Sequence, residues 1–83
     1  MNLDLTQHAR DAITKRKIEI RWVEHVLTNP MRVEGDAHDR ALEHRLATIT
    51  EFGSRVLRVV VNRTVSPVKI VTLYFDRRLK GKL

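Results

Sequence analysis

The chain has 83 residues, 42% hydrophobic and 31% charged, a composition that fits one small globular domain and excludes a disordered chain. It contains no cysteine, which removes disulfides and thiolate-bound metals, and no apolar run near the roughly 20 residues of a membrane span. Sixteen Lys and Arg against 10 Asp and Glu give a formal charge of +6, so the domain should attract polyanions, although charge alone does not choose among nucleic acid, an acidic protein and an anionic surface.

Asp4 and His8 interrupt the start of the chain, where a signal peptide would need an apolar core. A cytoplasmic protein without a membrane partner is therefore expected. The segment Leu3-Asp4-Leu5 alternates as a short edge strand does, and Thr6 is placed to cap a following helix through its hydroxyl. That helix is predicted over residues 7–17. Its apolar stripe is Ala9, Ala12 and Ile13, and Arg16 stands on the same stripe one turn further on. A guanidinium there needs a carboxylate partner, a route to solvent or a pocket to border, and Glu43 and Glu51 are the candidate partners. His8 lies at the edge of the stripe, about 80° around the helix from Arg16 and roughly 12 Å along its axis. The two can flank one groove without touching.

A second helix is predicted over residues 19–28, with Ile20, Trp22, Val23, Val26 and Leu27 on its packing face. Trp22, the one tryptophan, is expected to anchor helix to sheet, and Asn29-Pro30 stops the helix. Residues 31–34 read as a short strand or extended link, and the polar stretch after them as a loop. His38 between Asp36 and Asp39 could share an ion, but such residues on a loop are more often solvated, so no metal or other cofactor is assigned.

From about Leu42 the period changes to two. Leu46, Thr48, Thr50 and Phe52 alternate with Arg45, Ala47, Ile49 and Glu51, which predicts a strand running to Phe52. Gly53-Ser54 suits a type II′ hairpin turn, residues 55–62 read as the central strand, and residues 68–75 as the last. The sum is an α+β domain over residues 1–83: two N-terminal helices packed on an antiparallel sheet of three to four strands, followed by a mobile basic tail at 77–83. His25 and His44 read as surface positions outside any site.

His8-Ala9, Arg16, Ile18 and Val23, then Asn29-Pro30, a strand containing Arg58-Val59-Val60-Val61 and a closing Val71-Thr72-Leu73-Tyr74, together resemble the small bacterial family called domain of unknown function 4258. The resemblance spans about Leu5 to Arg77. In the family's common form, His-Ala-x-x-Arg-x-x-x-Arg-Gly-Ile, the first arginine is Ala12 here and the glycine is Lys17. The family is in turn similar to RelE-type and BrnT-type toxins, small ribonucleases built of two helices on an antiparallel sheet. This resemblance implies an RNA partner, with DNA as a second choice, and an acidic antitoxin protein that masks the basic face.

Metal-free RNA cleavage needs a base for the 2′-OH proton, an acid for the leaving 5′-oxygen and cations for the charge that builds on phosphorus. His8 fits the acid or base, Arg16 and Arg58 fit the phosphate clamp, and Tyr74 could donate or stack. Arg10 and Lys15 on the helix, with Arg77, Arg78 and Lys80 in the tail, are the further candidate phosphate contacts. Two functions are compatible with these residues: a toxin-like RNA-interacting domain acting as a metal-independent endoribonuclease, and a non-catalytic module that binds protein or nucleic acid through the open face of its sheet.

Overall fold

A computed structural model describes residues 3–83. Five strands form one sheet in the order β1-β5-β4-β3-β2: β1 (Asp4–Leu5), β2 (Arg32–Gly35), β3 (Leu42–Ile49), β4 (Arg55–Asn62) and β5 (Lys69–Phe75). Helices α1 (Gln7–Arg16) and α2 (Ile20–Thr28) separate β1 from the rest. The expected antiparallel meander is β3-β4-β5. The sheet is wider than expected and mixed, because β2 adds antiparallel to β3 while β1 returns as an edge strand parallel to β5.

Thr6 ties the start of α1 to the sheet. Its Oγ1 accepts the Ala9 N–H at 3.1 Å, capping the helix, and donates to the Val71 carbonyl at 2.8 Å. Val71 lies where the register between β4 and β5 slips, so one extra residue on β5 turns its carbonyl toward the cap. At the other end of α1, Lys17 adopts the left-handed conformation at φ 54°, and the Ile18 N–H donates back to the Ile13 carbonyl at 3.0 Å. This is a Schellman stop. The first of these two positions must accept positive φ, and the second, Ile18, is buried under the helix end.

One face of the sheet carries both helices. Ala47, Ile49, Leu57, Val59, Val61, Ile70 and Leu73 meet Ala9, Ala12, Ile18, Trp22, Val23 and Val26 in a single core. Ile20, expected on the packing face, is 43% exposed. The largest local departure lies after β3. Instead of running to Phe52, the strand ends at Ile49 and residues Thr50–Phe52 make a 3-10 turn. Strand parity explains the change: an unbroken strand would send Phe52 to the face opposite Ile49, away from the helices. The turn brings it to the helix side, with ring centroids 5.0 Å from Trp22 and 5.1 Å from Phe75. Gly53 and Ser54 then both take positive φ, 65° and 54°, which is not the type II′ geometry expected.

The left-handed Lys17 makes a direct prediction. Lys17→Gly should raise stability by about 1 kcal/mol in chemical denaturation, because glycine pays no Cβ penalty at that φ, whereas Lys17→Ala should be close to neutral.

Candidate functional site

The opposite face of the sheet is polar at its centre. Residues of β2, β3, β4 and β5 that point there include Glu34, His44, Arg58 and Tyr74, paired across neighbouring strands. Arg58, expected to clamp phosphate, is 8% exposed and spends its donors within the chain. Its Nε and Nη2 donate to Asp76 Oδ2 at 3.2 and 3.1 Å, and its Nη1 donates to Glu34 Oε1 at 3.2 Å and to His44 Nδ1 at 2.9 Å. Arginine has no acceptor, so His44 Nδ1 must accept, which places the ring proton on Nε2 to donate to Asp36 Oδ1 at 2.7 Å. His44 is thus a half-buried link in a chain of hydrogen bonds, not the surface position expected of it.

Asp36 and Asp76 are held in the charged form. The His44 hydrogen bond, helped by the N–H groups of His38 and Asp39, lowers Asp36 to about 2. Asp76 is also lowered to about 2, chiefly by the Arg78 side chain and further by Arg58, against an opposing push from burial. Asp76 is 4% exposed, and its second oxygen accepts the Arg78 N–H at 3.1 Å, which caps the 3-10 turn Arg77–Leu79. The basic tail therefore starts with a turn fastened to the sheet centre through Arg58.

That turn forms one wall of a cleft of about 690 Å³. Arg77 and Lys80 come from the tail, Tyr74 and Phe75 from the end of β5, Phe52 from the β3–β4 connection, Arg55 from the first position of β4, and Arg16 from the last turn of α1. Four cations thus line one depression with a single carboxylate, Asp76, which is already committed to Arg58 and Arg78. Among the described residues none of the four has a carboxylate partner; Arg55 lies over the Phe52 ring, 4.6 Å from its centroid. The position of Arg16 at the end of an apolar stripe is explained by this border. The glutamates considered as its partners are bound elsewhere, Glu51 to Arg21 and Glu43 to Arg45.

The structure thus brings together Arg16, Tyr74, Arg77 and Lys80 of the residues singled out from sequence. His8, Arg10 and Lys15 are exposed on α1 and do not line the cleft; Arg78 is exposed and bound to Asp76. Arg55, Phe52 and Asp76 were not legible as site residues. The signal for Asp76 was a lone acid between Phe75 and Arg77-Arg78; Arg55 and Phe52 depended on a turn that alternation does not show. Among the described residues no three His, Asp or Glu side chains are grouped to hold a metal ion, and no helix is long and apolar enough to cross a membrane.

A two-helix layer on a five-stranded sheet, with a cationic cleft at one end, defines a small α+β domain. The chain belongs to the family described as domain of unknown function (DUF4258), whose model matches residues 5–75. Comparison with curated proteins and with solved structures gave no match.

The buried pair generates a pH-dependent prediction. Because Asp76 titrates lower in the fold than its ordinary 3.8, its stabilisation is complete above about pH 4 and is lost as pH falls toward about 2. Asp76→Asn should cost about 3 kcal/mol at pH 7, since it leaves Arg58 and Arg78 without their shared partner. The gap between variant and wild type should close between about pH 4 and pH 2 in denaturation experiments.

Proposed function

We propose that this chain is a toxin-like RNA-interacting domain that holds single-stranded RNA in the cleft between α1, the β3–β4 connection and the C-terminal turn. The observation that carries this reading is the convergence of Arg16, Arg55, Arg77 and Lys80, four cations without carboxylate partners among the described residues, on one cleft with Tyr74. Guanidinium forks match phosphate oxygens, and an aromatic ring beside them offers a stacking surface that accepts any base. An A-form duplex is too wide for a depression of about 690 Å³, whereas an unpaired nucleotide and its flanking phosphates fit. The arrangement of two helices on one face of a β3-β4-β5 meander supports the likeness to RelE-type toxins. The net charge of +6 supports an acidic protein partner that competes with RNA for the same cleft.

Metal-independent cleavage is the second reading, and Tyr74 is the observation that favours it. In that reaction the 2′-OH gives its proton to solvent water as its oxygen attacks the adjacent phosphorus, the P–O5′ bond breaks, the leaving oxygen takes up a proton, and the products end in a 2′,3′-cyclic phosphate and a 5′-OH. The guanidinium groups would offset the charge on the transition state, and the Tyr74 phenol, inside the cleft, could pass a proton to the leaving oxygen. His8 stands outside the lining and Arg58 is consumed by its own partners, so the notion of His8 and Arg58 as direct participants has less support than binding itself.

With four phosphate contacts, the affinity for a labelled single-stranded oligonucleotide should fall with salt at a logarithmic slope of about −3. Arg55→Ala or Lys80→Ala should each flatten the slope by about 0.7, and Tyr74→Ala should cost about 1–3 kcal/mol at every salt concentration. In the presence of a chelator, RNA cut by wild type and spared by Tyr74→Phe would establish the nuclease reading. RNA left intact from pH 5 to 8, with binding retained, would establish the non-catalytic module.

A further inference from the structure

We infer that two copies of this chain associate through the outer edge of β2, pairing antiparallel about a two-fold axis at Val33. β2 ends the sheet, and among the described residues no strand lies beyond it. Natural edges are usually blunted by inward charges, proline or a covering loop. This one is not blunted on its apolar side. Among the described residues four large hydrophobics stand exposed, and two of them, Met31 at 55% and Val33 at 52%, lie in or beside this four-residue strand. Gly35, also exposed, has open space around the position a Cβ would take.

The direction of the free backbone groups follows from the ladder. Asp36 N–H donates to the Leu42 carbonyl at 3.2 Å, continuing the register in which Glu34 faces His44 and Arg32 faces Leu46. Hydrogen-bonded positions alternate along an antiparallel pair, so Arg32 and Glu34 bond inward to β3, while the N–H and C=O of Val33 and the N–H of Gly35 face outward. The Met31 N–H is taken by the Leu46 carbonyl at 2.7 Å, which leaves the Met31 carbonyl as an outward acceptor.

The side chains choose the occupant. With a two-fold axis at Val33, Val33 faces the partner's Val33, Arg32 faces the partner's Glu34, and Met31 faces the partner's Gly35. Both charge pairs fall on the open face of the sheet and both are opposite in sign, while the exposed valines meet on the helix side. Shifting the partner by two residues would set Glu34 against Glu34 or Arg32 against Arg32, so the sequence selects this register. Glu34 can serve it because its Oε1 is held by Arg58 while its Oε2 lies only loosely near Arg32, 3.6 Å away. At the axis the valines exchange N–H···O=C bonds in both directions, and each Gly35 N–H meets the partner's Met31 carbonyl. A four-residue contact buries less than the roughly 1,000 Å² of a stable interface, so the dimer is weak and concentration-dependent.

Sedimentation equilibrium of the full chain from about 10 µM to 1 mM tests this, alongside amide hydrogen exchange at the two extremes. The expected result is a mass rising toward that of two chains, with slowed exchange at the Val33 and Gly35 amides at high concentration. Val33→Pro removes only an outward N–H on an edge strand, where proline is tolerated, and should weaken association at least tenfold with the thermal midpoint little changed. Arg32→Glu, a change at a half-buried position outside the core, should do the same by setting like charges across the axis and serves as the second variant should the proline perturb folding. A wild-type mass fixed at one chain up to 1 mM would overturn the inference, as would a dimer that both variants leave intact.

Discussion

The Arg58–Asp76 ion pair is the constraint on which the site depends. A guanidinium at the centre of a sheet is costly unless every polar partner is supplied, and here four elements supply them: β2 gives Glu34, β3 gives His44, the loop after β2 gives Asp36 to orient that histidine, and the end of β5 gives Asp76. Asp76 in turn starts the 3-10 turn that carries Arg77 and Lys80 to the cleft. A residue that resembles a phosphate clamp in sequence is thus a positioning residue in the fold. It holds the acid that holds the tail.

The helix side of the sheet sets the other wall by a different route. Hydrophobic parity would have left Phe52 on the wrong face, and the chain breaks its strand to bury the ring against Trp22 and Phe75. That break swings the connection so that Arg55 and Phe52 reach the end of β5 and the last turn of α1. The cleft is a by-product of how an aromatic cluster closes the end of the core. Among the described residues its cations have no carboxylate partner, and they stand where polar and apolar packing meet.

Much of the fold was legible because its signals are local. The Thr6 cap, the stop at Asn29-Pro30, the Trp22 anchor and the valine-rich central strand all follow from residue type and spacing, and all appear in the structure. The parallel return of β1 was not legible, since a two-residue strand has no periodicity to read. The site was harder still. Arg16 announced itself by standing on an apolar stripe, and Tyr74 by closing a strand, but His44 and Asp76 acquire their roles only from partners 14 and 18 residues from them in sequence, and no single-chain pattern encodes such pairs. His8 has the chemistry of an acid or base, but geometry places it on the exposed surface of α1 away from the cleft lining.

The central claim is that RNA occupies the cleft and not the basic surface at large, and backbone and arginine side-chain NMR of the isotope-labelled chain titrated with a single-stranded RNA oligonucleotide tests it most directly. Saturable shifts at Arg16, Arg55, Tyr74, Arg77 and Lys80, with Arg10 and Lys15 unmoved, are the predicted result. Shifts confined to Arg10, Lys15 and other exposed positions of α1, with the cleft residues silent, would contradict it.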